Sequence, residues 1–198
     1  HDALPISEMS IDLFYARQQF ESYLKQYDKA DNKIRLKIIH TYGVVHCSWQ
    51  ICKRMGLPQE DTDLAQLIGL LHDIGRFEQV RRFDSFEPDT MDHAAFGVQL
   101  LFEEGKIRDY IQEPKWDSII RTAVARHSDF KLDGISDERE LLHSRLIRDA
   151  DKLDNCRVKL NDSIETLLGV SAGEVGRSSI STEVMAQFMA HQSIYSPT

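Results

Sequence analysis

Apolar residues recur along this chain at intervals of three and four, and no convincing stretch alternates at every second position. Ile11, Phe14, Tyr15, Phe20, Tyr23, Leu24 and Tyr27 fall at helical spacing, with Ser10 as the expected N-cap. A second long helix is expected from about Asp31 to Met55, closed by Gly56, with Pro58 opening the next segment. The run Asp61 to Ile74 carries Leu64, Ala65, Leu67, Ile68, Leu70 and Leu71. Apolar residues on nearly every side predict a buried central helix there. The pattern weakens from Arg76 to Thr90, which reads as a short helical turn and a loop. Helices are expected again from Asp92 to Glu104, from Pro114 at N1 through His127, and from a Ser136 cap to about Asn161. Asp129 to Asp137 reads as a loop. Past Leu168, a Gly- and Ser-rich stretch from Gly169 to Ser181 precedes a last helix near Glu183 to His191. No internal repeat is evident. The fold class is all-α, a single-domain helical bundle.

Composition narrows this picture. A length of 198 residues suits one domain with a substantial core. No run approaches the 18 or so apolar residues of a membrane span. The start has no basic n-region and no long apolar h-region, so it does not read as a signal peptide, and a cytoplasmic location is expected. Residues 1–9 show no helical periodicity and are expected to be a disordered leader; His1 is set aside with them. The folded domain is expected over 10–198. The end at Ser196-Pro197-Thr198 follows closely on a helix, which leaves room for a longer natural chain.

A net charge of −8 argues against strong nucleic-acid binding, because phosphate neutralisation supplies most of that affinity. It leaves open a small anionic substrate at a local cationic site. Cys47, Cys52 and Cys156 form an odd set without a C-x-x-C pair and read as reduced core cysteines.

The candidate chemistry lies in the His and Asp residues taken helix by helix. His40 lies in the second helix, and His72-Asp73 ends the buried central one. His93 starts the next, His127 ends the one after, and Asp151 lies midway along the following one. Five successive helices thus offer imidazole or carboxylate, and inward-facing side chains of neighbouring helices can build a metal site. Mixed nitrogen and oxygen donors suit Fe, Mn, Zn and related ions without a thiolate. An ionisable pair closing so apolar a run as Leu70-Leu71-His72-Asp73 needs partners, and metal ions would supply them. Gly75 then lets the chain turn close to the site.

With these residues in place, the sequence resembles the HD-domain superfamily, whose defining pattern is H…HD…D. His40, His72-Asp73 and Asp151 match it. Supporting text matches too: His40-Thr41-x-x-Val44, Leu71-His72-Asp73-Ile74-Gly75-Arg76, Asp92-His93 followed by Gly97, and Ala150-Asp151-Lys152-Leu153-Asp154. The resemblance spans about residues 30 to 160. It implies an all-α fold with a buried metal site and hydrolysis of phosphate esters or related bonds. It also implies His40, His72, Asp73 and Asp151 as core ligands, His93 and His127 as the added ligands of binuclear members, and Asp73 as the bridging carboxylate. The cofactor would be one or two divalent ions among Mn, Fe, Mg, Ni, Co and Zn. Arg76 stands where the cyclic-di-GMP phosphodiesterase branch carries a phosphate-contacting Lys. The Gly-Tyr-Pro segment of that branch has no counterpart nearby, which argues against cyclic dinucleotides.

Arg76, Arg81, Arg82, Arg126, Arg148 and Lys152 lie near these residues in sequence and read as a cationic rim for an anionic, phosphate-containing substrate. Arg76 and Lys152, nearest the ligands at helical spacing, join Asp73 as the expected catalytic groups. His46, His143 and His191 have no partner in the pattern and read as surface or packing residues. The leading expectation is a metal-dependent phosphohydrolase acting on a phosphomonoester or phosphodiester of a nucleotide or similar metabolite. A di-iron oxygenase of the same superfamily and a non-catalytic, metal-stabilised ligand-binding regulator are the alternatives.

Overall fold

The computed structural model describes residues 11–192 and 194. The described residues are helical and contain no strand. They form two compact units that divide between Asn161 and Asp162. No helix among them is long and apolar enough to cross a membrane. The leader expected over 1–9 lies outside the described residues.

The first unit is built around α3 (Gln59–Leu71). Leu64, Leu67, Ile68, Leu70 and Leu71 of this helix are all fully or almost fully buried. It packs against α1 (Leu13–Leu24), α2 (Asn32–Met55), α6 (Asp117–Arg126) and α7 (Glu138–Asn161). Past its exposed first turn the helix has no solvent face to keep polar, which explains why Leu64 to Leu71 is apolar but for Gln66. Each leucine so buried contributes about 1.5–3 kcal/mol of transfer free energy.

Helix α2 matches its expected span. Asp31 caps it by accepting from the backbone N–H groups of Lys33 and Ile34, and Gly56 closes it at φ 68°. Two other caps differ from expectation. Helix α1 is capped by Asp12, which accepts from the Tyr15 N–H; Ser10 lies outside the described residues. At the start of α7, Asp137 rather than Ser136 accepts from the Arg139 and Glu140 N–H groups. In both places a carboxylate further along the chain, two residues past Ser10 and one past Ser136, reaches the free amides of the first turn.

Helix α4 (Ile74–Phe83) is a full ten residues where only a short turn is expected. Ile74, Phe77 and Val80 supply its apolar face, but Glu78 and Gln79 are buried as well, and these polar residues obscure the periodicity. Phe77 packs edge-on against Phe20 and Tyr23 of α1, which fixes α4 to the core. Helix α5 (His93–Val98) is capped by Asp92 and continues as a π-turn over Gln99–Glu103. Short 3-10 turns at Lys106–Asp109 and Pro114–Trp116 lead into α6, so the helix expected from Pro114 opens as a 3-10 turn. The three cysteines are free: Cys52 is buried, Cys47 half-buried and Cys156 exposed, so the last is not the core residue expected.

The second unit holds three short helices, α8 (Ile164–Leu168), α9 (Ala172–Arg177) and α10 (Thr182–Met189). Ser163, Ser171 and Ser181 cap them in turn. Helix α9 lies inside the stretch read as Gly- and Ser-rich connecting chain, its start set by a capping box between Ser171 and Glu174.

Candidate metal centre

Helix α3 ends at Leu71 and α4 begins at Ile74, so His72 and Asp73 occupy the joint between two helices. Asp73 leaves helical geometry at φ −105° and ψ 19°. The backbone carbonyls at a helix end lack intrahelical partners. His72 satisfies one of them: its Nδ1 lies 2.8 Å from the Gly69 carbonyl. A carbonyl only accepts, so Nδ1 carries a proton, and in the neutral ring Nε2 then presents a lone pair. His127 repeats the device at the end of α6, with Nδ1 2.7 Å from the Val124 carbonyl. The same local rule thus aims two imidazole lone pairs inward.

Six side chains converge in two groups. His40, His72 and Asp151 bring donor atoms within 4.8 Å of one another, and so do Asp73, His93 and His127. Asp73 lies between the groups. Its Oδ1 is 3.4 Å from both His93 Nε2 and His127 Nε2. Its Oδ2 is 3.7 Å from His72 Nε2 and 4.0 Å from His40 Nε2. One carboxylate therefore turns one oxygen toward each triad.

His40 is held from behind. Its Nδ1 donates to Asp154 Oδ2 at 2.7 Å, and its Nε2 lies 2.9 Å from Asp151 Oδ1. Burial disfavours its charge, but the bonds to Asp151 and Asp154 outweigh burial and raise its pKa above the ordinary histidine value. Asp154 is in turn held by Arg157, at 2.7 and 3.0 Å. Gly43 makes room for it: a Cβ there would meet Asp154 Oδ1 at 1.9 Å. Gly75 performs a similar service for α5, since a Cβ on it would lie 2.2 Å from the His93 carbonyl oxygen.

Burial works against the charge of Asp73, yet Lys37, His72, His127 and Arg76 hold its carboxyl well below the usual carboxylate range. Burial also opposes ionisation of Asp151, and contacts with His40 and His72 overcome it, keeping that carboxyl low. Burial drives His93 the other way, to a pKa of about 3, so it is a neutral donor at physiological pH.

These residues fit a cation. The Nε2 of His72 is buried and has no hydrogen-bond partner. An orphaned lone pair of this kind is costly unless a proton or a Lewis acid meets it. His93 Nε2 and His127 Nε2 are 3.1 Å apart, close enough to serve one ion together. Imidazoles and ionised carboxylates, backed by His40–Asp154 and by backbone carbonyls, form a donor set suited to first-row divalent ions.

A family model, the HD domain, matches residues 38–156. The chain belongs to the HD-domain family. No curated protein and no solved structure gives a significant match. The matched stretch runs from the second turn of α2 to near the end of α7 and contains all six clustered residues.

The cations expected around the HD pair divide. Arg76 lies against Asp73, its Nε 3.6 Å from Oδ1. Lys152 is exposed on α7, and among the described residues no ion pair joins it to the cluster. Arg81 and Arg82 instead pair with Glu78, and Arg148 donates to the Phe130 carbonyl. Arg126 pairs with Asp129. The cation nearest Asp73 is Lys37, whose Nζ is 2.8 Å from Oδ2. Lys37 and Asp154 were both open to detection: each lies three residues from a candidate ligand on its own helix, and such residues share a face. Of the remaining histidines, His46 is exposed and stacks on Trp49, while His143 is buried and bonded to Asp61.

Proposed function

We propose that this HD-domain protein is a metal-dependent phosphohydrolase acting on a phosphomonoester or phosphodiester of a nucleotide or similar metabolite. The observation that carries the reading is Asp73, with one oxygen toward each of two buried triads. His40, His72, Asp151 and Asp73 Oδ2 would hold one divalent ion; His93, His127 and Asp73 Oδ1 would hold the other. Such a pair, when bound, lowers the pKa of water and neutralises phosphoryl oxygens.

The chain's own residues do the rest. Lys37 and Arg76 flank Asp73 with side chains only 11% and 17% exposed. Two cations so placed favour phosphoryl chemistry, because they neutralise charge that grows on the phosphate oxygens in the transition state. Phe86 lies over Lys37, its ring centroid 5.2 Å from Nζ, and helps to keep water from that side. The loop that carries it is held from α4: Arg76 donates to the Phe86 carbonyl, and Gln79 to the Glu87 carbonyl and the Thr90 hydroxyl. At 20% exposure the Asp151 side chain is the most open of the six, so substrate enters beside it. Lys152, next in sequence and exposed, serves as an outer cation on that approach.

The test is a screen of phosphomonoesters and phosphodiesters with the full chain and Mn, Mg, Fe, Ni or Co. Turnover with at least one pairing is expected, together with its loss in a folded Asp73→Ala variant. Inactivity across the screen, or retained activity in that variant, overturns the proposal.

A further inference from the structure

Arg81 and Arg82 face away from the metal centre, and what they face is a cavity. Ile74, Glu78, Arg81 and Arg82 recur at the spacing of a single helical face. That face of α4 closes a space of about 720 Å³ against α1, α5 and the 106–110 turn. None of the six clustered residues lines it. A volume of this size lies within the range of small-molecule sites. More of its surface is polar than apolar.

The floor of the cavity is built. The Glu78 carboxylate is only 5% exposed and receives Arg81 Nη2 and Arg82 Nε, each at 2.5 Å. The Tyr27 hydroxyl donates to it at 3.5 Å and meets the Tyr23 hydroxyl at 2.7 Å. Each guanidinium is fixed over a ring, Arg81 over Tyr27 and Arg82 over Phe96, at 5.3 and 5.4 Å. A staple for one buried carboxylate needs one arginine. Here two share it, so the trio keeps a net positive charge; the rest of the lining adds Lys106, Glu104 and Asp109, so the positive charge is local to the trio. A guanidinium has five N–H donors, and each of these lends one nitrogen to Glu78. Both side chains are about half exposed, so their remaining donors are available to a guest.

We propose that this cavity is a second ligand site, separate from the metal centre, that takes a phosphorylated small molecule with its phosphate against Arg81 and Arg82. Planar forks held on aromatic faces are suited to bidentate recognition of phosphate. The exposed amides and hydroxyl of Gln26, Gln99 and Ser22 along the walls suit the hydroxyl-rich remainder of such a ligand. The site stands whether or not the metal centre hydrolyses phosphate esters.

The test titrates the full chain, in phosphate-free buffer with EDTA, with inorganic phosphate, AMP and glucose 6-phosphate. Calorimetry and amide NMR provide the readout. Saturable one-to-one binding of at least one probe is expected, with signals of Tyr27, Arg81, Arg82 and Phe96 shifting together. Arg81→Gln/Arg82→Gln removes both charges, and the amide at position 82 stands where Arg82 Nε did and can still donate to Glu78; Ser22→Trp fills the cavity from an exposed position outside the Glu78 trio. Each should weaken binding at least about tenfold, whereas Asp151→Asn should leave it within about twofold. The proposal is overturned if no probe saturates. It is also overturned if Ser22→Trp binds as wild type does, or if the shifts centre on the metal cluster.

Discussion

Replacing Gly43 by alanine should damage the proposed metal centre without touching any of the six clustered residues. The added Cβ would lie 1.9, 2.4 and 2.7 Å from Asp154 Oδ1, Cγ and Oδ2, and Cβ atoms essentially never approach within 3.0 Å. The carboxylate must therefore retreat by about 1 Å or more, since the repulsive wall is steep at such distances. A 2.7 Å bond to His40 Nδ1 cannot survive a shift of that size in the wrong direction. Losing a hydrogen bond to a charged group costs about 1.5–3 kcal/mol. Loss of a carboxylate behind a ligating histidine lowers metal affinity roughly 10- to 100-fold. Calorimetric titration of the metal-free protein with Mn²⁺ reads the affinity, and the His40 ring ¹⁵N shifts read the bond itself. Affinity within about twofold of wild type, with unchanged His40 shifts, would refute the assigned role of Asp154.

Three further outcomes follow from other parts of the molecule. Leu67→Ala, in the fully buried centre of α3, should lower stability by about 2–5 kcal/mol in urea denaturation; a loss under about 1 kcal/mol would contradict the packing described. Lys37→Gln should reduce kcat/KM for the phosphoester substrate by about a hundredfold while metal content stays at the wild-type level; unchanged kinetics would remove Lys37 from the site. Burial lowers the pKa of His143 below its ordinary value, against the pull of Asp61, so the folded state binds the proton less readily than the unfolded state. Stability from this group is therefore present above about pH 6.5 and is lost as pH falls below that value. Metal-free His143→Gln should show a shallower decline with acidification than wild type, and parallel curves would rule the histidine out.

Legibility in the sequence followed burial. The central helix was plain because α3 is buried from Leu64 to Leu71 and shows it in a run that is apolar but for Gln66. The six convergent residues were legible because each lies at or near a helix end or in a periodic segment, so topology alone could bring them together. What stayed hidden depends on which face a polar residue takes. The length of α4 was masked by the buried Glu78 and Gln79, which look like surface residues until their partners are known. Arg81 and Arg82 follow the HD pair in sequence, yet one helical rotation sends them to Glu78 while Arg76 stays beside Asp73. Lys37 and Asp154 required the reverse step, from a candidate ligand to the residue one turn away on the same face. Family membership covers residues 38–156, and the roles of individual side chains rest on the geometry within that stretch.

The central claim is that Asp73 joins two metal sites. Electron paramagnetic resonance of the Mn²⁺-loaded protein, with bound metal counted on the same sample, tests it most directly. Two ions per chain with an exchange-coupled signal are expected in wild type, and a single uncoupled ion in His93→Ala. One ion per chain in wild type, or coupling that persists in Asp73→Asn, would contradict the account.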